Sequence, residues 1–368
     1  MTAAIVLALG LAYFALTNWY IRWWQRLDTW VLPDNYEAHS RISVLIAARN
    51  EAAHIAACLE SIVANAYPAH LLEILVVDDH SDDDTARIAA RFPGVRVLQL
   101  PAGRQGKKAA LAHALQAAQG ELVVCTDADC IVPPQWLRHI ASVFEQREAV
   151  QLLTAPVLFF EPGNFAEHFQ ALDMTGTMLI TGAGIHSGWQ RMGNGANLAY
   201  RRGLHSALEA LEKTAHRASG DDMFLLQQTA QHFPEGVFFL KSTEAVVLTA
   251  AMPDSLSFFR QRLRWGGKNA VLPEWPIRLA LLLVWLNAWA VLLSFPLVLW
   301  YWWLPAVALG LKAWSDQRLL RRATAYFEQL VLMERFGRSF VAHTLYIVLV
   351  GTASIFMPAY GWKGRRVR

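Results

Sequence analysis

The stretch ELVVCTDADC, Glu121–Cys130, decides the fold. Its uncharged apolar run, Leu122–Val124, is typical of a strand buried on both faces of a parallel sheet. Asp127 and Asp129 follow at the carboxyl end of that strand, where open α/β sheets bind their ligands. Two carboxylates one residue apart can share a hard divalent cation, so the pattern predicts a Mg²⁺ or Mn²⁺ site. Taken alone, the same pair could also cap a strand-to-helix turn.

Three similar strands precede this stretch, at Ile42–Ala47, Glu73–Val77 and Val95–Leu100. Helical patterns separate them, with Ser81 or Asp82 expected to cap the helix that begins near Thr85. Alternating strands and helices predict an α/β fold, a mostly parallel sheet with helices on both faces. The first strand is not followed by G-x-G-x-x-G, which disfavours a dinucleotide-binding domain.

Apolar residues make up 54% of the 368 residues and are concentrated in two regions. They predict a transmembrane helix at 1–24, two more within 277–314, and a transmembrane or re-entrant helix at 339–358. Between them we expect a soluble domain at 40–252 and a basic, aromatic interfacial helix at 254–270. In that helix Arg260, Arg262, Arg264 and Lys268 alternate with apolar residues.

Arg22 and Arg26 follow the first apolar segment, which disfavours a cleaved signal peptide. By the positive-inside rule they place the soluble domain in the cytosol, on a multi-pass protein of the inner (cytoplasmic) membrane. Four crossings would put the basic tail outside, against that rule, so one late segment is expected not to span. The formal net charge of +3 is too small to indicate nucleic acid as a partner. Three cysteines, an odd number, are not expected to form a disulfide.

Five motifs in a fixed order resemble the membrane-bound branch of the family 2 glycosyltransferases, which includes cellulose, chitin and poly-N-acetylglucosamine synthases. The motifs are ARNE (Ala48–Glu51), DDHSDDDT (Asp78–Thr85), DAD (Asp127–Asp129), GDD (Gly220–Asp222) and QRLRW (Gln261–Trp265). The resemblance covers roughly residues 40–270 and implies a GT-A-like fold.

The resemblance implies donor-binding roles for several residues. Asp78 and Asp79 match the aspartates that contact the uracil and ribose of a UDP-sugar. Asp127 and Asp129 match the D-x-D motif that holds the metal and the diphosphate. The remaining donor-binding candidates are Arg49 and Glu51 in ARNE and Lys107 or Lys108 near the phosphates. Asn194 and Asn197 in the glycine-rich loop are further candidates.

The resemblance also implies the chemistry. Asp222 matches the general base that takes the proton from the acceptor hydroxyl. In the QRLRW helix, Arg264 would neutralise the diphosphate, Trp265 would face the acceptor sugar and Gln261 would hydrogen-bond nearby. A single in-line displacement inverts the anomeric centre and gives a β-linkage from an α-linked donor. The family's usual Glu before the base is Asp221 in this sequence.

Several functions remain open at this level. The main expectation is a membrane-bound, inverting hexosyltransferase that moves a sugar from a UDP-sugar to a glycan or lipid acceptor. It is either processive or a single-addition glycolipid synthase similar to ceramide glucosyltransferases. The predicted membrane part is small for a polymer channel, so the product is short or lipid-linked, or a partner subunit completes export. A non-catalytic assembly subunit and a membrane nucleotidyltransferase are further alternatives.

Overall fold

The computed structural model describes residues 2–204, 221–269, 275–356, 360–362 and 365–367. The chain divides into two compact units. The sheet unit comprises Asp28–Phe160 and Arg191–Ala250. The helical unit comprises Met1–Leu27, Glu161–Gln190 and Ala251–Arg368. The expected domain at 40–252 is therefore interrupted, because Glu161–Gln190 belongs to the helical unit.

The sheet unit contains a mostly parallel seven-stranded sheet, as predicted. Its strands are β1 Ile42–Ala48, β2 Leu72–Asp78, β3 Val95–Gln99, β4 Leu122–Asp127, β5 Leu152–Thr154, β7 Leu198–Arg201 and β8 Val237–Phe239. A second, small parallel pair consists of β6 Val157–Phe159 and β9 Val247–Thr249. The seven strands lie in the order β3-β2-β1-β4-β7-β5-β8, and β7 runs antiparallel to both neighbours. The first four strands are parallel.

Strand β1 shows why the strands of this sheet are apolar on both faces. Ile42, Val44 and Ile46 are fully buried in one core, which also contains residues of helices α2 and α5. Leu45 is fully buried in the core on the other face, against α4. The helices of this unit are α2 Ile55–Val63, α3 Thr85–Ala89, α4 Lys107–Ala117, α5 Trp136–Gln146 and, after α6 of the helical unit, α7 Asp221–His232.

The N-terminus of α3 differs from the prediction. Asp84 is its N-cap residue and makes no side-chain cap hydrogen bond. Asp83 instead accepts a hydrogen bond from the Thr85 backbone N–H at 3.0 Å. Ser81 and Asp82 bond to the loop after β1 and not to this helix. The prediction that Ser81 or Asp82 caps the helix is therefore wrong, because both residues connect two loops.

The helical unit consists of long helices and a C-terminal strand pair. They are α1 Thr2–Arg26, α6 Phe165–His186, α8 Ser255–Asn269, α9 Trp275–Ser294, α10 Leu304–Tyr326 and α11 Phe336–Phe356, with β10 Tyr360–Trp362 pairing antiparallel to β11 Arg365–Val367. Among the described residues, three helical segments are long and apolar enough to cross a membrane: Thr2–Arg26, Trp275–Ser294 and Leu330–Ser354. The second segment expected within 277–314 falls in α10, which is not among the three.

Helices α1 and α10 run parallel to each other. Val6 and Ala308 share one apolar cluster near the helix N-termini. Phe14 stacks on Trp314 with the ring centroids 4.9 Å apart, and Trp24 meets Tyr326 edge-on at 5.1 Å. Because the contacts advance together along both helices, their C-terminal ends lie at the same end of the bundle. The basic residues of those ends, Arg22, Arg26, Arg321 and Arg322, therefore lie at one end too.

Candidate functional site

The carboxyl ends of three adjacent strands bring the predicted acidic residues together. Ala48 at the end of β1 pairs with Asp78 on β2, and Ala47 pairs with Asp127 on β4. Asp78 and Asp127 therefore flank the end of β1, two strand spacings or about 10 Å apart. This edge of the sheet is where ligands bind in open α/β folds.

Asp79 is held in place by the loops around it. Its side chain is almost fully buried, and its carboxylate Oδ2 accepts a hydrogen bond from the Gly106 backbone N–H at 2.8 Å. The Arg49 guanidinium donates to the Asp79 carbonyl at 3.1 Å and lies 3.9 Å from its carboxylate. Gly106 has φ of 91°, a left-handed conformation that favours glycine and that brings its N–H to Asp79.

Asp78 has an unsatisfied acceptor. One carboxylate oxygen accepts a hydrogen bond from the Ser81 backbone N–H at 3.3 Å. The other, Oδ1, is buried and has no hydrogen-bond partner among the described residues. A buried carboxylate oxygen without a donor is costly, so it is suited to accept a hydrogen bond from a bound ligand.

The loops after β1 and β2 are strained and tied to each other. Asn50 and His80 both have positive φ, 53° and 55°, a conformation that costs a non-glycine residue about 1–3 kcal/mol. The Asn50 N–H donates to the Ser81 hydroxyl at 3.0 Å, and the Asn50 side chain accepts from the Asp82 N–H at 2.9 Å. The Glu51 N–H donates to the Thr85 hydroxyl at 2.8 Å. These bonds fix the ARNE loop against the acidic loop.

Asp127 forms an ion pair with Lys107 at the start of α4. The two side chains are 37% and 35% exposed, so both remain accessible from solvent. Lys107, one of the two lysines predicted near the phosphates, thus contacts the D-x-D motif. The role of Lys108 stays a prediction.

Asp129 lies in a cluster of negative charge. Burial raises the pKa of its carboxyl above the usual value, and the nearby carboxylates of Asp127 and Glu51 raise this pKa further. A divalent cation would relieve this repulsion, so the residues fit the predicted metal. No group of three His, Cys, Asp or Glu that could hold a metal occurs in the described part of the chain. Asp127 and Asp129 would therefore share the ion with phosphate or water oxygens.

The three cysteines are buried free thiols, as expected. The Cys58 thiol donates to the Asp127 carbonyl at 3.5 Å. Burial, followed by the charges of Asp129 and Asp127, raises the pKa of this thiol to about 12. Cys58 is therefore a neutral packing residue beneath the acidic edge and not a nucleophile.

The two asparagines predicted to contact ligand have different environments. Asn197 is fully buried, and its amide donates to the carbonyls of Pro156 and Ala245, both at 2.8 Å, and accepts from the Trp136 indole at 2.9 Å. The structure thus gives Asn197 a structural role in place of the predicted ligand contact. Asn194 is half-buried and bonds locally to the Ala196 N–H, so its ligand contact stays a prediction.

The part of the chain that contains the acidic edge is similar to a known protein family. Residues 43–206 match the family model "Glycosyl transferase family 2". This part of the chain is therefore similar to the family 2 glycosyltransferases. It is 27% identical over 247 residues to a beta-monoglucosyldiacylglycerol synthase of Synechocystis, covering 64% of this chain and 50% of that protein. The synthase of Trichormus variabilis is 29% identical over 249 residues, covering 64% and 51%.

These relatives are longer than this protein. The chain spans about half the length of the curated relatives it matches. They are named as glycolipid synthases and not as the cellulose or chitin synthases that the motifs resemble. The expected resemblance to polymer synthases is therefore corrected to a similarity to family 2 glycosyltransferases in general. A mannosyltransferase of Pyrobaculum calidifontis, solved in complex with GDP-Man and Mn²⁺, has a TM-score of 0.60 at 22% identity, covering 97% of this chain and 99% of that one. This similarity supports the fold.

The remaining glycosyltransferase motifs are only partly described. Asp222 begins α7 with its neighbour Asp221, and Arg264 and Trp265 lie on α8, but these side chains fall outside the described part of the structure. Gln261 is half-buried, and its side-chain carbonyl oxygen has no hydrogen-bond partner among the described residues. The predicted roles of these residues stay predictions.

One arginine of helix α8 is buried. Arg262 is 6% exposed and donates to the Asp173 carboxylate on α6 at 2.6 Å. Its guanidinium also lies 4.9 Å from the Phe258 ring centroid. Arg260, one position earlier in the alternating pattern, is exposed. The alternation in the sequence did not distinguish the buried arginine because its acidic partner lies about 90 residues away.

Two contributors to the acidic edge were missed from the sequence. The backbone N–H groups of Gly106 and Ser81 position Asp79 and Asp78. The available signal was the glycine directly before Lys107, since a glycine that starts a helix indicates an unusual backbone conformation there. Ser81 carried no comparable signal.

Proposed function

We propose that this protein is a membrane-bound glycosyltransferase that transfers one hexose from a UDP-sugar to a diacylglycerol-type lipid and forms a β-linkage. The observation that carries the proposal is the convergence of Asp78, Asp79, Asp127 and Asp129 at one edge of the sheet, within the part of the chain that is similar to the family 2 glycosyltransferases. An accessible lysine lies beside them. The edge therefore offers both acceptors for a nucleoside and positive charge for a diphosphate.

The nucleoside binds at the β2 end. The unsatisfied carboxylate oxygen of Asp78 would accept a hydrogen bond from the uracil ring N–H, which removes the cost of leaving that oxygen buried and unpaired. Asp79, fixed by Gly106 and Arg49, would bind the ribose. The strained turns at Asn50 and His80 keep both loops in place before the donor arrives, so little ordering is needed on binding.

The diphosphate binds at the β4 end. Lys107 would release Asp127 and move its ammonium toward the phosphate oxygens, a small change because both side chains are about one-third exposed. Mg²⁺ or Mn²⁺ held by Asp127 and Asp129 would supply positive charge to stabilise the departing UDP. Glu51 adds to the negative field that favours a cation at this position.

The transfer is a single displacement. Asp222 would accept the proton of the acceptor hydroxyl as that oxygen bonds to the anomeric carbon. The bond from the anomeric carbon to the diphosphate oxygen breaks, and its electron pair leaves with UDP. Attack opposite the leaving group inverts the centre, which gives a β-glycoside from an α-linked donor. Arg264 would balance the charge of UDP, while Gln261 and Trp265 would hold the acceptor.

A lipid acceptor is supported by two findings. The relatives at 27% and 29% identity are named as synthases of a glucosylated diacylglycerol. Three described helices are long and apolar enough to reach a lipid in the bilayer. Transfer of one sugar needs no channel or export partner, so these findings favour the single-addition alternative over processive polymer synthesis.

The orientation follows from the basic end of the α1 and α10 pair. Because Arg22, Arg26, Arg321 and Arg322 lie at one end of the bundle, the positive-inside rule places that end in the cytosol. The Lys312–Asp316 ion pair neutralises two of the charges of α10, the helix that packs along α1. Nucleotide sugars made in the cytosol would then reach the catalytic domain.

The test is a donor panel offered to the purified full-length protein. UDP-glucose, UDP-galactose, UDP-N-acetylglucosamine and GDP-mannose are each incubated with diacylglycerol and Mn²⁺ or Mg²⁺, and nucleotide release and glycolipid products are measured. We expect UDP release with one UDP-sugar and a single monoglycosyl lipid of β configuration. A ladder of products would support a processive synthase, and release of pyrophosphate would indicate a nucleotidyltransferase.

The matched control for this assay is Asp222→Asn. Loss of the general base should lower the transfer rate by about 10²–10⁴-fold. UDP binding measured by calorimetry should be unchanged, because the amide is similar in size to the carboxylate and Asp222 holds no metal. Transfer at the wild-type rate would show that Asp222 is not the base.

A further inference from the structure

An apolar cavity of about 120 Å³ lies inside the helical unit. Apolar side chains from five helices form most of its wall, among them Leu16, Phe169, Ile180, Val284, Leu320 and Phe340. Apolar walls of this extent bind apolar groups, as an engineered 150 Å³ cavity that binds benzene illustrates. The apolar part of the wall therefore suits a hydrocarbon segment.

A polar network borders the same cavity. Asp316 accepts hydrogen bonds from Tyr13 and, at 2.6 Å, from Lys312. Lys312 also lies 3.4 Å from Nδ1 of His343, whose Nε2 is 3.9 Å from the carboxylate of Asp173. Asp173 in turn accepts from Arg262. Both carboxylates and the imidazole line the cavity.

The charges of this network cancel. Two carboxylates, one ammonium and one guanidinium sum to zero, and the Lys312 ammonium, which can only donate, faces Nδ1 of His343. Each cation is paired with a carboxylate. No Lys or Arg is among the described residues that line the cavity, so its wall offers no cation to balance the charge of a phosphate.

One polar group on the wall has no partner. Ser339 is 3% exposed and lines the cavity, and its hydroxyl makes no hydrogen bond to any described residue. It lies on α11 one turn before His343. A buried hydroxyl next to carboxylates can donate to or accept from a ligand hydroxyl, while the carboxylates accept the ligand's proton.

We infer that this cavity binds a neutral, hydroxyl-bearing lipid, with the hydroxyl at Ser339 and the carboxylates and the adjoining acyl segment against the apolar wall. The inference rests on the proposed function, for which such a lipid is the acceptor class. It adds a lipid site in the helical unit and the requirement that the headgroup carries no charge.

The experiment is photo-crosslinking of the purified full-length protein with a diacylglycerol that carries a diazirine on one acyl chain. We expect labelled peptides from the five helices that line the cavity, α1, α6, α9, α10 and α11. Unlabelled diacylglycerol should compete about tenfold better than phosphatidic acid with the same acyl chains. Labelling confined to other segments, or equal competition by the two lipids, would overturn the inference.

Two variants and one control sharpen the test. Ile180→Trp fills the cavity and should lower labelling about tenfold, whereas Leu281→Trp, at a 45% exposed position on α9, should label like the wild type. Ser339→Ala, a small change that leaves the packing intact, should lower labelling about threefold to tenfold. Wild-type labelling of both cavity variants would overturn the inference.

The same preparation separates the two proposals. Specific labelling without sugar transfer by the wild type would contradict the proposed function and leave the lipid site standing. Transfer to diacylglycerol that Ile180→Trp does not impair, together with labelling outside the cavity, would contradict the lipid site and leave the proposed function standing. UDP binding, measured in parallel, shows that each variant is folded.

Discussion

Two lysine–aspartate pairs, one in each unit, show how burial determines whether an ion pair can open to admit a ligand. In the sheet unit, Lys107 and Asp127 pair with both side chains about one-third exposed. In the helical unit, Lys312 and Asp316 pair with side chains that are 0% and 8% exposed. The first pair can open to admit a ligand. The second cannot open without leaving a charge in an apolar interior.

The net charge around the two pairs also differs. Asp127 belongs to a cluster whose carboxylates raise the pKa of Asp129, so negative charge is in excess at that edge. Lys312 has, besides Asp316, the ring of Phe340 at 4.9 Å and His343 at 3.4 Å, so its charge is compensated within the bundle. The excess negative charge at the sheet edge suits a cation, whereas the compensated charge around Lys312 suits only a neutral ligand.

The comparison predicts its largest effect on stability in the helical unit. Lys312→Met leaves Asp316 buried without its cation and should lower the free energy of unfolding by about 3–5 kcal/mol. Thermal unfolding of the purified protein in detergent measures this. The double variant Lys312→Met with Asp316→Leu should recover most of the loss, because it removes the uncompensated charge.

The matched control is Lys107→Met. Because its pair with Asp127 is partly exposed, the variant should unfold within about 1 kcal/mol of the wild type. It should nevertheless bind UDP-sugar more weakly, since a phosphate contact is lost. Equal destabilisation by Lys107→Met and Lys312→Met would contradict the distinction between the two pairs.

The second prediction concerns a substitution that lowers activity and leaves stability unchanged. Asp127→Ala should lower the transfer rate by about 10²–10³-fold, the loss typical when one electrostatic stabiliser of developing charge is removed. Its melting temperature should equal that of the wild type, because Asp127 is not part of the buried core. Donor binding should weaken in Mn²⁺, whereas in EDTA the variant and the wild type should bind alike. Undiminished donor affinity in Mn²⁺ would discredit Asp127 as a metal ligand.

The sequence predicted the sheet unit well because its signals are local. Each strand is a short apolar run, and Asp78, Asp79, Asp127 and Asp129 directly follow such runs, so their convergence at one sheet edge follows from parallel topology. Lys107 or Lys108 was predicted near the phosphates, and Lys107 contacts Asp127, while the phosphate contact stays a prediction. The left-handed turns at Asn50 and His80 were not visible, because asparagine and histidine adopt many conformations in loops.

The helical unit was predicted less well because its decisive contacts are distant in sequence. The sequence analysis did not distinguish Arg262 from the other basic residues of α8, because its partner Asp173 lies in a helix whose sequence interrupts that of the sheet unit. Lys312 and Asp316 interrupt an apolar helix, and the bundle that neutralises them cannot be inferred from composition. Charge in an apolar segment therefore has to be judged from its partners.

The smallest predicted effect compares Asn197 and Asn194, which the sequence could not tell apart. Asn197→Ala leaves the Trp136 indole and the carbonyls of Pro156 and Ala245 without partners in the core and should cost about 1–3 kcal/mol of unfolding free energy. Asn194→Ala removes one local turn hydrogen bond and should cost about 0.5–1.5 kcal/mol.

The kinetic effects of these two variants should have the opposite order. If Asn194 contacts the substrates as predicted, Asn194→Ala raises the KM for donor or acceptor, while folded Asn197→Ala retains both KM values because its amide is fully used inside the protein. Thermal unfolding and steady-state kinetics on the same preparations measure both effects. A raised KM in Asn197→Ala at temperatures well below its melting point would show that the buried amide positions a substrate contact through Trp136 or the segment at Ala245, and the division between structural and ligand-binding asparagines would then fail.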